Sequence, residues 1–125
     1  MGAHNVRGWE ALTRYVSELQ IYRVIDVRAR PDSNEYWSSG SLMSLLGITY
    51  VHAAALGNTM RAGQRWQPPN RRRATAMVEQ IAVSLRQDGD LLLLCCETHA
   101  QECHRFDVAN EIAALIEGAE ARHLL

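Results

Sequence analysis

The chain contains no lysine: all thirteen of its basic residues are arginine. Genome base composition produces such an absence as readily as chemistry does, so it excludes nothing by itself. Other shortages say more. Cysteine occurs three times, with two copies adjacent at Cys95 and Cys96. That is not the disulfide framework of a small secreted domain. No apolar run approaches the roughly 20 residues of a membrane span, so no membrane partner is expected. The opening MGAHNVRG has no apolar core, so no secretory leader is expected either. Neither acidic nor basic residues are in clear excess, at fourteen and thirteen. The net charge of −1 argues against a bulk electrostatic drive toward nucleic acid or anionic membrane. The expectation is one cytoplasmic domain over residues 1–125. At that length a chain buries roughly two-thirds of its unfolded surface, so folding needs neither disulfide nor metal.

What is present reads as alternating helices and strands. WEALTRYVSELQ places Trp9, Leu12, Tyr15, Val16 and Leu19 at helical spacing. YRVIDVR is a short β-branched run, and Pro31 in the following ARPDSN excludes a continued helix. SLMSLLG predicts a helix ended by Gly47, and ITYVHAAAL a second strand. RRRATAMVEQIAVSLRQ predicts the clearest helix, with Met77, Ile81 and Leu85 on one face and Val78 beside them. DGDLLLLCC is a turn and a buried strand, CHRFDVANEIAALIEG a helix ended by Gly118, and EARHLL a short last strand. This order predicts an α/β fold, a small three-layer sandwich with a mostly parallel sheet and helices on both faces. Ligands in such folds bind beyond the carboxyl ends of the strands.

The chemistry concentrates there. Residues 95–105, CCETHAQECHR, follow the apolar LLLL directly. Cys103, His104 and Arg105 open the last helix. Unpaired N–H groups and roughly half a positive charge at a helix start favour a thiolate at Cys103. Arg105 could hold an anion beside those N–H groups, or pair with Glu102 or another neighbour. Cys95 and Cys96 point to opposite faces if both stay in the strand, so one of them belongs to the core. Glu97 could act as a general base, orient an arginine, or be a solvated strand end. His99 adds an imidazole, but the spacing matches no paired zinc motif, so no metal or other cofactor is expected. On the first strand, Asp26 and Arg28 share a face and could pair with each other. Arg71, Arg72 and Arg73 could contact phosphates or form a solvated basic turn. Trp37 and Trp66 could cover a ligand or cap the core.

Three stretches, IDVRARPDS, GITYVHAAALGN and LLLLCCETHAQECHR, resemble successive signatures of the domain of unknown function family 488. Asp26, Val27, Arg28, Pro31 and Ser33 match its first motif. Gly47, Ile48, Tyr50, His52, Leu56 and Gly57 match its second. Cys95, Glu97, Cys103, His104, Arg105, His123 and Leu124 match its last, a C-x-E-x5-C-H-R pattern. The likeness runs from about residue 21 to 125. Asn34 stands where the family has arginine, and Cys96 where it commonly has alanine. The resemblance implies a three-layer α/β domain with a shared pocket and assigns no reaction. A weaker likeness joins the IDVR strand, the Glu35-Tyr36 pair and the cysteine loop to rhodanese-like domains, without their tight C-x4-R cradle.

The leading expectation is an uncharacterised enzyme-like domain, a cysteine-dependent transferase or hydrolase with an anion-binding pocket at the strand carboxyl ends. Cys103, Cys95 and Glu97 are its catalytic candidates. Arg28, Ser33, His52, Asn58, His104 and Arg105 are its ligand-binding candidates, for a small anionic or nucleotide-like ligand. One alternative is a non-catalytic nucleotide- or nucleic-acid-binding module using arginines and loop tryptophans. Another is a structural motif in which Glu97 and Arg105 clamp a helix to the sheet.

Overall fold

The first strand is too buried to be anything but central. Val24, Ile25 and Asp26 of RVID are all enclosed, as a strand flanked on both edges and both faces must be. The structure is a computed structural model that describes residues 6–28, 37–59, 66–94 and 104–120. Its elements are α1 (Val6–Glu18), β1 (Arg23–Asp26), α2 (Ser39–Leu46), β2 (Tyr50–His52), α3 (Arg71–Gln87), β3 (Leu91–Leu94) and α4 (Arg105–Ala114). Short 3-10 turns occupy Gly47–Thr49 and Ala54–Leu56. The strands run parallel in the order β2-β1-β3. Asp26 stands opposite His52 on one side and Leu94 on the other, so the three carboxyl ends are level.

Period-2 alternation sorts the side chains into two cores. Ile25 and Val27 face Val78 and Ile81 of α3 and Val108 and Ile112 of α4. Val24, Tyr50, Leu92 and Leu94 face Leu12 of α1, Leu42 of α2 and Trp37. The result is the three-layer α/β arrangement with a parallel sheet in the middle. On α3, Ala74, Val78, Ile81 and Ala82 make a buried stripe at helical spacing. Met77 and Leu85 pack at its margin. Complete burial of a side chain such as Ile81 stabilises by about 1.5–3 kcal/mol. Asn70 caps this helix by accepting from the Arg73 N–H at 3.0 Å, and Ser38 caps α2 by accepting from Ser41 at 3.1 Å. Gly47 closes α2 with φ 61°, and its N–H donates to the Met43 carbonyl.

Two boundaries differ from the sequence expectation. ITYVHAAAL is extended only over Tyr50–His52. Ile48 lies in a 3-10 turn, 88% exposed. The alanines, with no β-branched side chain to favour extension, wind into a second such turn that buries Leu56. The last helix ends at Ala114 rather than at Gly118. There the Leu115 and Ile116 N–H groups turn back to the Ile112 and Ala113 carbonyls, tightening the final turn. Leu19, read at helical spacing with Leu12, lies just past the end of α1 and is 44% exposed. The strand expected at EARHLL lies, except for Glu120, outside the described residues, as does the side chain of Trp9. No described helix is long and apolar enough to cross a membrane.

Candidate functional site

Asp26 ends β1 and Arg28 follows on the same face, so their side chains meet at the carboxyl end of the sheet. Both are buried, at 0% and 8% exposure. Asp26 Oδ1 accepts from the Arg28 backbone N–H at 3.1 Å and from its Nε at 2.9 Å. Asp26 Oδ2 accepts from Arg28 Nη2 at 2.7 Å and from the Tyr50 hydroxyl. A carboxylate has about four acceptor positions, and these bonds occupy them. Asp26 is therefore a fully engaged anchor and not a base. Arg28 Nη2 also donates to the Trp37 carbonyl. This fork geometry uses Nε and Nη2, leaving Nη1 outside the anchor.

The same contacts set the charge states. Burial works to lower the Arg28 pKa. The hydrogen bond and charge of Asp26 outweigh it and raise the pKa above its usual value, so the guanidinium stays charged. Burial, helped by the hydrogen bond to Asp26 and its negative charge, pushes the Tyr50 phenol up strongly. Tyr50 thus donates to Asp26 throughout the neutral range.

Two imidazoles complete this end of the sheet. His52 Nε2 lies 2.8 Å from the Arg28 carbonyl oxygen, and His104 Nε2 lies 2.7 Å from the Val27 carbonyl oxygen. His104 immediately precedes α4, and Arg105, the first residue of that helix, is buried at 6% exposure. The start of α4 is thereby brought to the end of β1.

Asn58 belongs to a second group. Its side-chain oxygen accepts from the Gln67 N–H at 2.8 Å. Trp66, beside Gln67, donates its indole N–H to the Gly57 carbonyl at 3.0 Å and its backbone N–H to Asp107 at 2.9 Å. Arg71 lies over the Trp66 ring at 5.1 Å and pairs with Glu111 at 2.5 Å. This group fastens the start of α3 to the first turns of α4.

Of the residues singled out in the sequence, the structure brings together Arg28, His52 and His104, with Arg105 adjoining His104. Cys95, Cys96, Glu97, His99, Cys103 and Ser33 lie outside the described residues. Trp37 and Trp66 are core caps, at 2% and 6% exposure. Tyr50 was missed as a partner of Asp26. The signal was present, since Tyr50 and His52 share a face of the strand that pairs with β1. The Asp107 contact with Trp66 had no signal in the sequence. No group of three or more potential metal ligands occurs among the described residues. A cavity of about 150 Å³ between α3 and the sheet is lined by Arg23 and Leu91, the first residues of their strands. It extends along that face past Ile25 and Val51 to Ala53, the residue after β2.

No curated protein and no solved structure matches the chain. A family model does, over residues 9–112, and its description is "Domain of unknown function DUF488". Its span takes in β1 with Asp26 and Arg28, β2 with His52, and the whole stretch from Cys95 to Arg105. The chain belongs to the DUF488 family.

Proposed function

We propose that the carboxyl end of the sheet is the working face of a small cysteine-dependent enzyme with an anion-binding pocket. Arg28 and Arg105 are the groups that hold a small anionic or nucleotide-like ligand, with Ser33 as a further polar contact. Cys103, or Cys95, is the nucleophile or sulfur carrier, and Glu97 handles its proton or orients an arginine. The observation that carries this reading is the 2.7 Å contact between His104 and the Val27 carbonyl. It ties the start of α4, one residue beyond Cys103 in the sequence, to the residue before Arg28. A thiol role fits a reducing, cytoplasmic setting.

The test is residue-resolved alkylation with iodoacetamide at neutral pH, with and without sulfate. Cys103 is expected to react faster than Cys96, and sulfate to protect it. Equal rates, or a faster Cys96, remove the proposed nucleophile.

A structural reading is favoured by one observation, the burial of Arg105. If Glu97 clamps Arg105, urea unfolding of Glu97→Gln should show a loss of about 3–5 kcal/mol. A loss below about 1 kcal/mol, the range of exposed pairs, refutes the clamp. The nucleic-acid-binding reading has less support, because the two tryptophans it needs for stacking are enclosed in the core.

A further inference from the structure

We infer that His52 and His104 are positioning residues, which fix the direction of the Arg28 side chain by holding the peptide planes on either side of it. The parallel ladder of β1 continues just past the strand. The Val27 N–H donates to the Leu94 carbonyl on the β3 side, and the Asp26 carbonyl accepts from the Ala53 N–H on the β2 side. Carbonyls alternate in direction along a strand. The next acceptor toward β3 is the Val27 carbonyl, which takes His104 Nε2; the next toward β2 is the Arg28 carbonyl, which takes His52 Nε2. Each imidazole stands where a further ladder bond would fall.

The planar peptide makes this consequential. The Val27 carbonyl and the Arg28 N–H belong to the plane entering Arg28. The Arg28 carbonyl belongs to the plane leaving it. With both planes held, φ and ψ of Arg28 are set, and so is the direction of its Cα–Cβ bond. Asp26 then orients the guanidinium from the side. A carbonyl oxygen only accepts, so Nε2 of both rings carries the proton. The geometry of the hold does not depend on the proposed anion pocket. What the positioned guanidinium is for rests on that reading.

The experiment has three arms on the full chain. In wild type, nitrogen-15 NMR should find both His52 and His104 with the proton on Nε2. A ring protonated only on Nδ1 overturns the inference. In variants, exchange of the Arg28 Nε–H is compared with that of the Val24 amide in the middle of β1. His52→Ala and His104→Ala should speed Arg28 exchange about three- to tenfold relative to Val24, and the corresponding Gln variants, which keep a donor, should restore it. Equal acceleration at Arg28 and Val24 indicates general loosening, and no acceleration indicates no hold; either result overturns the inference. Sulfate titration of the same proteins is the third arm. Affinity should fall in the Ala variants and return in the Gln variants, and sulfate affinity unchanged by the Ala variants counts against the positioning role. If wild type binds no sulfate, the anion-pocket reading falls, while the exchange result still decides the positioning of Arg28.

Discussion

Two arginine–carboxylate pairs of nearly equal length sit in different surroundings. Asp26 and Arg28 meet at 2.7 Å with side chains 0% and 9% exposed. Arg71 and Glu111 meet at 2.5 Å with side chains 36% or more exposed. Length does not distinguish them; solvent does. The exposed pair loses most of its Coulomb energy to water and salt. The buried pair gave up hydration on both groups, and only a complete set of partners offsets that cost. Asp26 has such a set, in the Arg28 N–H, Nε and Nη2 and the Tyr50 hydroxyl. A buried pair of this kind is weak evidence for stability as such, since apolar side chains of like volume often do as well. Its place at the level carboxyl ends of the strands gives it a second use, which is to hold a charged guanidinium in one orientation.

The largest effect should come from breaking the buried pair on one side. Asp26→Ala leaves Arg28 enclosed and charged, with the Trp37 carbonyl as its remaining acceptor among the described residues. Urea unfolding should show a loss of about 3–5 kcal/mol. Replacing the group as a unit, by Asp26→Leu, Arg28→Met and Tyr50→Phe together, should return stability to within about 1 kcal/mol of wild type or above it. If the combined variant stays as unstable as Asp26→Ala, the pair is needed for folding itself. If it folds well but no longer binds sulfate, the charge is there for the ligand.

Next in size is the Tyr50 hydroxyl. Tyr50→Phe removes one donor to a buried carboxylate, with an expected loss of about 1.5–3 kcal/mol at neutral pH. The pH profile checks the cause. Burial and Asp26 raise the phenol above its ordinary value of about 10. The folded chain therefore keeps this proton at a pH where the unfolded chain has lost it. The stabilisation is complete below about pH 10 and declines above it, by up to about 1.4 kcal/mol per pH unit while only the unfolded phenol titrates. Tyr50→Phe should flatten that decline. Identical slopes for the two proteins above pH 10 would show that Tyr50 does not hold its proton.

These residues also show how far the sequence could be read. Asp26 and Arg28, two apart on a strand, announce a shared face and a pairing. What the strand pattern could not announce is the burial of the pair, because that depends on residues that arrive from other elements, such as Trp37, whose carbonyl accepts from Arg28, and Tyr50, whose hydroxyl donates to Asp26. The α3 helix was legible to its ends, since its apolar residues recur along one side without interruption, while its Asn70 cap emerged only in the structure. The β2 strand was not, because an alanine run has no side chain that commits it to extension. The histidines were legible as candidates, but their backbone contacts were not. A ring nitrogen bonded to a backbone carbonyl 24 or 77 residues away leaves no trace in spacing.

The smallest effect should come from the exposed pair, and it completes the comparison. Glu111→Ala is the cleaner cut, because Arg71 keeps its place over the Trp66 ring at 5.1 Å. Removing Arg71 instead would also forfeit that cation–π contact, worth about 0.5–1 kcal/mol at an exposed site. Glu111 is on the surface of α4, and its partner is the first residue of α3, so the bond crosses between helices. Its loss should cost about 0.2–1 kcal/mol at about 0.1 M salt. At about 1 M salt the Debye length shrinks to about 3 Å, and the difference between variant and wild type should all but vanish. Asp26→Ala should keep most of its cost at that salt, because ions do not enter its surroundings. A Glu111→Ala loss above about 2 kcal/mol, or one that 1 M salt leaves intact, means the exposed pair behaves as a buried one. The contrast between the two pairs would then lie in their partners and not in their exposure to water.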